Sequence, residues 1–114
     1  MKAGDKGVSR GDLVTVILPG AYGKPRPALV IQSDFFNEHP SVTILPVTGE
    51  LRQTPLFRVT VRPSVENGLM MPSQVMVDKA HTIPREKIGE PSDRLEGEVM
   101  VAVNRALALF LGFA

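Results

Sequence analysis

Lys24-Pro25-Arg26-Pro27 is the segment of this 114-residue chain best suited to gripping an anion. A proline on either side of Arg26 biases the local backbone to extended conformations. A guanidinium on a stiff strand start can offer a phosphate two parallel hydrogen bonds. Standing alone, the same residue also reads as an exposed arginine at a loop–strand junction. Thr48 is the second candidate. It follows Leu45-Pro46-Val47 and precedes Gly49, so it sits at a strand's end, where a hydroxyl can face a cleft. Its plainer reading is a threonine that hydrogen-bonds its own turn. Acid–base work by histidines would need His39 and His81 in one cleft. His39 lies in a polar loop beside Pro40 and reads as a solvated histidine. His81, just past a strand end, reads either as a member of a site built from strand ends or as an ordinary surface histidine.

Other chemistries find no support in the residues. There is no cysteine, which excludes a disulfide scaffold, a thiolate zinc site and a cysteine nucleophile. No His-x-x-x-His, paired carboxylate cluster or Asp-rich loop is present, so no metal and no cofactor is expected. Gly20-Ala21-Tyr22-Gly23-Lys24 lacks the Gly-Lys-Ser/Thr ending of a phosphate loop, and no helix follows it. No Gly-x-Ser-x-Gly elbow occurs. Lys+Arg is 13 and Asp+Glu 12, a net charge of +1. That excludes a module held to nucleic acid by bulk charge, though not a local basic site. Trp is absent and aromatics are 5% of the chain, too few for a wide base-stacking platform. No apolar run reaches the ~18 residues that span a bilayer. The first residues lack the apolar stretch of a secretory signal, and the expected compartment is the cytoplasm.

These groups must be positioned by a small fold. The length suits one domain, and 43% hydrophobic with 22% charged residues is ordinary for a folded chain. Residues 1–9 are polar and Gly-rich and read as a flexible N-terminal arm; residues 10–114 form the single domain. Ten Gly and ten Pro punctuate short β-rich runs. Strands are predicted over 12–18, 26–32, 42–47, 57–61 and 73–78, on β-branched content and on the period-two alternation of Phe57-Arg58-Val59-Thr60-Val61. Asp93 and Glu96 read as a capping-box variant that opens the one long helix. Leu95, Val99, Ala102, Val103, Ala106, Leu107 and Phe110 then share one helical face, and Gly112 stops the helix. The expected fold is mainly β with a C-terminal helix packed on the sheet.

Taken in order, Arg10-Gly11-Asp12-Leu13-Val14, Gly23-Lys24-Pro25-Arg26-Pro27-Ala28-Leu29-Val30-Ile31, Leu45-Pro46-Val47-Thr48, and Val77-Asp78 with Thr82-Ile83-Pro84-Arg85-Glu86-Lys87-Ile88-Gly89 resemble the MazF/PemK family of toxins from bacterial toxin–antitoxin modules. The resemblance runs from about Arg10 to the C-terminus. It implies an SH3-like β-barrel of the CcdB/PemK type, a homodimer, and neutralisation by a cognate antitoxin protein. It also implies a metal-independent, sequence-specific endoribonuclease that cuts single-stranded RNA and leaves 2′,3′-cyclic phosphate and 5′-hydroxyl ends. The family's catalytic arginine falls on Arg26 and its catalytic threonine on Thr48. Asp78 matches an aspartate some relatives use, as base or as orienter of the arginine; its other reading is a strand-end carboxylate that caps the next turn.

The reaction so implied suits the residues. The ribose 2′-hydroxyl attacks its own phosphorus, so alignment and charge stabilisation are the work left to the protein. DNA lacks the attacking group. RNA contacts are expected from Lys24, Tyr22, Arg52, Gln53, Lys79 and His81, with Asn37 a further base reader. Met70, Met71 and Met76 read as an adaptable patch for a partner or as core. The sequence departs from the PemK branch at Met76, where a basic residue is expected, and between the first two strands, where Tyr22 is present and the histidine of some relatives is not. These departures favour a mechanism built on Arg26 and Thr48. The alternative is a CcdB-like toxin that binds DNA gyrase without nuclease activity, against which stands the C-terminal Leu111-Gly112-Phe113-Ala114, with no Trp-Gly-Ile.

Overall fold

The computed structural model describes residues 7–18, 20 and 23–114. The first six residues of the expected arm, and Tyr22, lie outside the described residues. Seven strands and one helix follow in order: β1 (Asp12–Val16), β2 (Arg26–Val30), β3 (Ser41–Thr48), β4 (Arg58–Val61), β5 (Ser73–Met76), β6 (His81–Pro84), β7 (Asp93–Arg94) and α1 (Gly97–Leu111). Single 3-10 turns fall at Asp34–Phe36, Val77–Lys79 and Arg85–Lys87. All strand pairs are antiparallel. The order is β4-β5-β3-β2-β1-β7, with β6 also on β3. The fold is the β-dominated one expected, a curled antiparallel half-barrel with a C-terminal helix.

Alternation along the strands builds two cores, one on each face of the sheet. Leu45 and Val47 of β3 join Leu13, Leu29, Val61, Val75 and Val77 on the face that α1 covers with Val103 and Ala106. Val42 and Ile44, one step out of phase, join Val14, Val16, Ala28, Val30 and Ile88 on the other face. Each such side chain contributes about 1.5–3 kcal/mol on burial, so both faces resist a slip in register. Val8 also packs in the second core at 4% exposure. The packed unit therefore takes in a side chain from the segment expected to be loose, because an apolar residue there reaches the β1–β2 face.

β3 is the organising strand. One edge holds β2 from Ala28↔Pro46 to Val30↔Ile44. The other holds β6 over Ser41–Ile44 and then β5 over Val47–Thr48. Pro46, which has no amide hydrogen to give, falls in the interval between β6 and β5. There the neighbouring chain makes its 3-10 turn at Val77–Lys79.

The structure corrects several expectations. α1 starts at Gly97 with Glu96 as N-cap and no side-chain capping bond, so Asp93 and Glu96 do not form a capping box. Asp93 and Arg94 instead pair with Leu13 and Asp12. The Arg94 guanidinium meets the buried Asp12 carboxylate, and this tertiary ion pair draws the segment into a strand. Leu95 is buried ahead of the helix, and Phe110 is exposed at 53%. The strand expected over 73–78 stops at Met76, so Asp78 rides on a 3-10 turn. Met70 and Met71 are exposed, which rules out their reading as core. Gly112 does end the helix, in the left-handed conformation at φ 87 that glycine adopts without strain. Among the described residues no helix is long and apolar enough to cross a membrane.

Candidate active site

Arg26 opens β2 opposite Val16 of β1. It is exposed, and among the described residues its guanidinium takes part in no hydrogen bond or ion pair. Pro27 sits opposite Thr15, and the ladder to β3 starts one residue later, at Ala28↔Pro46. Thr48 closes β3 and pairs with Gln74 of β5. Its Oγ1 accepts a hydrogen bond from the Glu50 amide at 3.1 Å. The plainer reading of Thr48 is therefore correct as far as it goes. The hydroxyl hydrogen is not used in that bond and is free to donate elsewhere.

The register of β2 on β3 relates the two residues. Arg26 lies two residues before Ala28, and Thr48 two residues after Pro46, the pair that closes the ladder. Residues two apart on a strand share a face. Arg26 and Thr48 thus belong to the face opposite α1, level with each other. Gln74 is the cross-strand partner of Thr48, and Thr60 of β4 is the partner of Gln74. Arg26, Thr48, Gln74 and Thr60 form one row across β2, β3, β5 and β4.

Beside this row lies a groove of about 570 Å³ lined by Leu51, Arg52, Gln53, Thr54, Pro55, Arg58, Thr60 and Gln74. Arg52 and Gln53, both expected to bind RNA, stand on its rim and are exposed. The Arg52 guanidinium pairs with Glu50 at 2.9 Å. A Cβ on Gly49 would lie 2.8 Å from the Met71 sulfur, so the residue after Thr48 has to be small for the thioether to lie there. Lys24 is exposed just before β2.

Asp78, Lys79 and His81 form a separate group on the 3-10 turn and the start of β6. Asp78 Oδ2 pairs with Lys79 Nζ at 3.3 Å, while Oδ1 is buried without a hydrogen-bond partner. Neither oxygen bonds to Arg26 or Thr48 among the described residues. His81 Nδ1 lies 2.7 Å from the Lys79 carbonyl. A carbonyl only accepts, so Nδ1 carries the proton and Nε2 is the free ring nitrogen. His81 pairs with Ile44, four residues along β3 from Thr48. His39 Nδ1 accepts from the Ser41 amide at 3.1 Å and is the exposed loop histidine expected. Among the described residues no three His, Asp or Glu side chains are gathered as metal ligands.

Gln74, Arg58 and Thr60 were not among the expected site residues. Arg58 and Thr60 occupy the polar positions of the alternating 57–61 run. Gln74 carries no local signal beyond being a long polar side chain beside Val75 and Met76.

The description "PemK-like, MazF-like toxin of type II toxin-antitoxin system" belongs to a family model that matches residues 9–111. A probable endoribonuclease MazF from Mycolicibacterium smegmatis is 43% identical over 106 residues, covering 92% of this chain and 97% of the relative. Among solved structures, an endoribonuclease in complex with its cognate antitoxin from a mycobacterial species superposes with a TM-score of 0.80 at 23% identity, covering 95% of this chain and 98% of that one. A MazE–MazF complex from Deinococcus radiodurans reaches 0.76 at 27% identity, covering 92% and 96%. The row on the face of the half-barrel opposite α1 is thus carried by a chain that belongs to the PemK-like, MazF-like toxins of type II toxin–antitoxin systems.

Proposed function

We propose that this chain is an endoribonuclease toxin that cuts single-stranded RNA at the Arg26–Thr48 end of the row. The observation that carries the reading is the β2–β3 register, which, continued two residues, sets a guanidinium and a hydroxyl level on the face opposite α1. Paired residues on adjacent antiparallel strands lie about 5 Å apart; Arg26 and Thr48 stand two residues beyond the last such pair, Ala28↔Pro46, and the reading has both side chains meet at one phosphate there.

The 2′-hydroxyl gives its proton to solvent as its oxygen attacks the adjacent phosphorus, and the phosphorus–5′-oxygen bond breaks with that oxygen taking a proton from solvent, giving a 2′,3′-cyclic phosphate and a 5′-hydroxyl. Negative charge builds on the non-bridging oxygens. Arg26, with no competing partner among the described residues, offers them a fork of two N–H groups. Thr48 donates its hydroxyl hydrogen to the same oxygens. Its oxygen is already polarised by the Glu50 amide, which strengthens it as a donor. Lys24 contacts a flanking phosphate, and Arg52 and Gln53 contact the bases beyond it. The reaction as drawn does not call on Asp78, whose carboxylate holds the Lys79 ammonium; Lys79 and His81 serve RNA further along the face.

The working unit is a homodimer in the cytoplasm, silenced by a cognate antitoxin. A second copy has a surface to cover. Leu56 and Leu109 are exposed on a groove of about 360 Å³ between β4 and α1. The relative at 43% identity is named an endoribonuclease, which disfavours a gyrase-binding toxin without nuclease activity.

The test is cleavage of a long single-stranded RNA by purified protein in EDTA, with the 5′ ends mapped. Cuts at a recurring short motif, with 5′-hydroxyl ends, are expected. They should disappear in Arg26→Ala and at a scissile 2′-deoxynucleotide. Folded protein that leaves the RNA intact, or that cuts the deoxy-substituted strand, would overturn the reading.

A further inference from the structure

Gln74 is 5% exposed in the middle of β5. A buried primary amide is costly unless its donors and acceptor are all met, and here they are. Oε1 accepts from the Arg52 amide at 2.9 Å and from Arg58 Nη1 at 3.3 Å. Nε2 donates to the Arg52 carbonyl at 2.9 Å and to Thr60 Oγ1 at 3.1 Å. One side chain thus binds both backbone groups of a residue that belongs to no strand. It acts as a rung of sheet for the loop that leaves β3. Arg58 adds a second tie by donating to the Glu50 carbonyl at 2.9 Å.

These bonds close a circuit. Thr48 accepts from the Glu50 amide, Arg58 holds the Glu50 carbonyl, Gln74 holds Arg52, and Gln74 is itself the cross-strand partner of Thr48. The circuit leaves the side chains of Arg52, which pairs with the Glu50 carboxylate, and of Gln53 on the rim of the 570 Å³ groove. Only an amide fits the central place, because it must give one hydrogen bond and take another along the same backbone residue. A carboxylate of equal size would face the Arg52 carbonyl with an acceptor.

We infer that Gln74 is a specificity-determining positioning residue. Its amide holds the 50–53 loop so that Arg52 and Gln53 read the bases beside the scissile phosphate. This rests on the RNA-cleaving reading. Gln74 touches neither the phosphate nor the attacking oxygen. Its loss therefore blurs the choice of bases and weakens binding while sparing the chemical step.

Gln74→Met, close in volume, removes the four bonds made by the Gln74 amide, and Gln74→Glu reverses the donor that faces Arg52. In Gln74→Met, hydrogen exchange at the Arg52 amide should speed by about tenfold or more, while the Leu45 amide in the centre of β3 keeps its rate. On a randomised RNA library the mapped motif should loosen in both variants. KM on the preferred site should rise by about tenfold, with kcat within about threefold of wild type. An unchanged motif, or a fall in kcat with KM constant, overturns the inference. An unchanged Arg52 amide in Gln74→Met does the same. If Gln74→Met fails to fold, the motif and the KM–kcat split in Gln74→Glu decide. Should the wild type leave all RNA intact, the cleavage reading fails by itself, and the Arg52 amide still judges the latch.

Discussion

Thr48→Val separates the turn bond that the Thr48 hydroxyl makes from the phosphate-donor role proposed for it. Valine keeps the shape of threonine and removes its oxygen. The loss for the fold is the single 3.1 Å bond from the Glu50 amide, at a half-buried position where water can take over the amide. That is about 1 kcal/mol of stability, or a Tm lower by roughly 4–8 °C for a domain of this size. If turn-holding were all that Thr48 did, a misplaced loop of that energy would slow cleavage by about fivefold. A donor lost from the phosphoryl oxygens costs far more, about 100- to 1,000-fold in kcat. The assay is single-turnover cleavage of an oligoribonucleotide bearing the mapped motif, at saturating protein, beside a thermal melt. Thr48→Val should lose both small stability and large rate. Thr48→Ser, which restores the oxygen, should recover most of each. A Thr48→Val rate within about fivefold of wild type refutes the donor role. A Thr48→Ser as slow as the valine variant refutes it equally.

Arg26→Lys keeps the charge and loses the fork, and should cleave roughly 100-fold more slowly. Its thermal stability should stay within about 0.5 kcal/mol of wild type, because Arg26 is exposed and unpaired among the described residues; a matching fall in Tm would instead make it structural. Asn67 is 1% exposed. It accepts from the Ser64 and Leu69 amides at 3.0 Å each and donates to the Arg62 carbonyl at 2.9 Å. Asn67→Ala should therefore cost about 3 kcal/mol in a denaturant titration. The Glu96 carboxyl is held below its ordinary value of 4.5, first by a hydrogen bond from its own backbone and then by Ser64 and Asn67, with burial opposing. Its folded pKa lies below its unfolded one. Its stabilisation is therefore complete above the unfolded value and lost as pH falls through the folded one. Melts of Glu96→Gln should show a shallower loss of stability below about pH 4.5 than wild type, and parallel curves would remove Glu96 from the acid response.

Much of the sheet was legible in the residues because period-two alternation is a local signal. The runs 12–18, 26–32, 57–61 and 73–78 each contain an observed strand, and 42–47 lies inside β3, which is one residue longer at each end. β6 and β7 escaped for a physical reason. Four residues between Ala80 and Arg85, and two beside Leu95, carry too little pattern by themselves, and both strands are made by partners elsewhere. Ser41–Ile44 calls up β6, and the Asp12–Arg94 ion pair calls up β7. The same pair misled the helix start, since Asp-x-x-Glu is a genuine capping spacing that a contact from 82 residues away overrode. Arg26 and Thr48 were legible as strand-end residues with a resemblance to support them. Gln74 was not, because its importance lies in the backbone of a loop whose path no local pattern dictates.

β3 is flanked along both edges, by β2 on one and by β6 and β5 on the other. Thr48 itself pairs with Gln74 of β5, two residues past the last β2 pair at Pro46, so displacing it means parting β3 from β5. Arg26 sits where two prolines withhold amide hydrogens and the ladder has not yet reached β3. Its surroundings can open without the rest. Changes in the β1–β2 connection can therefore reposition the Arg26 guanidinium, the group proposed to meet the phosphate, while Thr48 keeps its place beside Gln74.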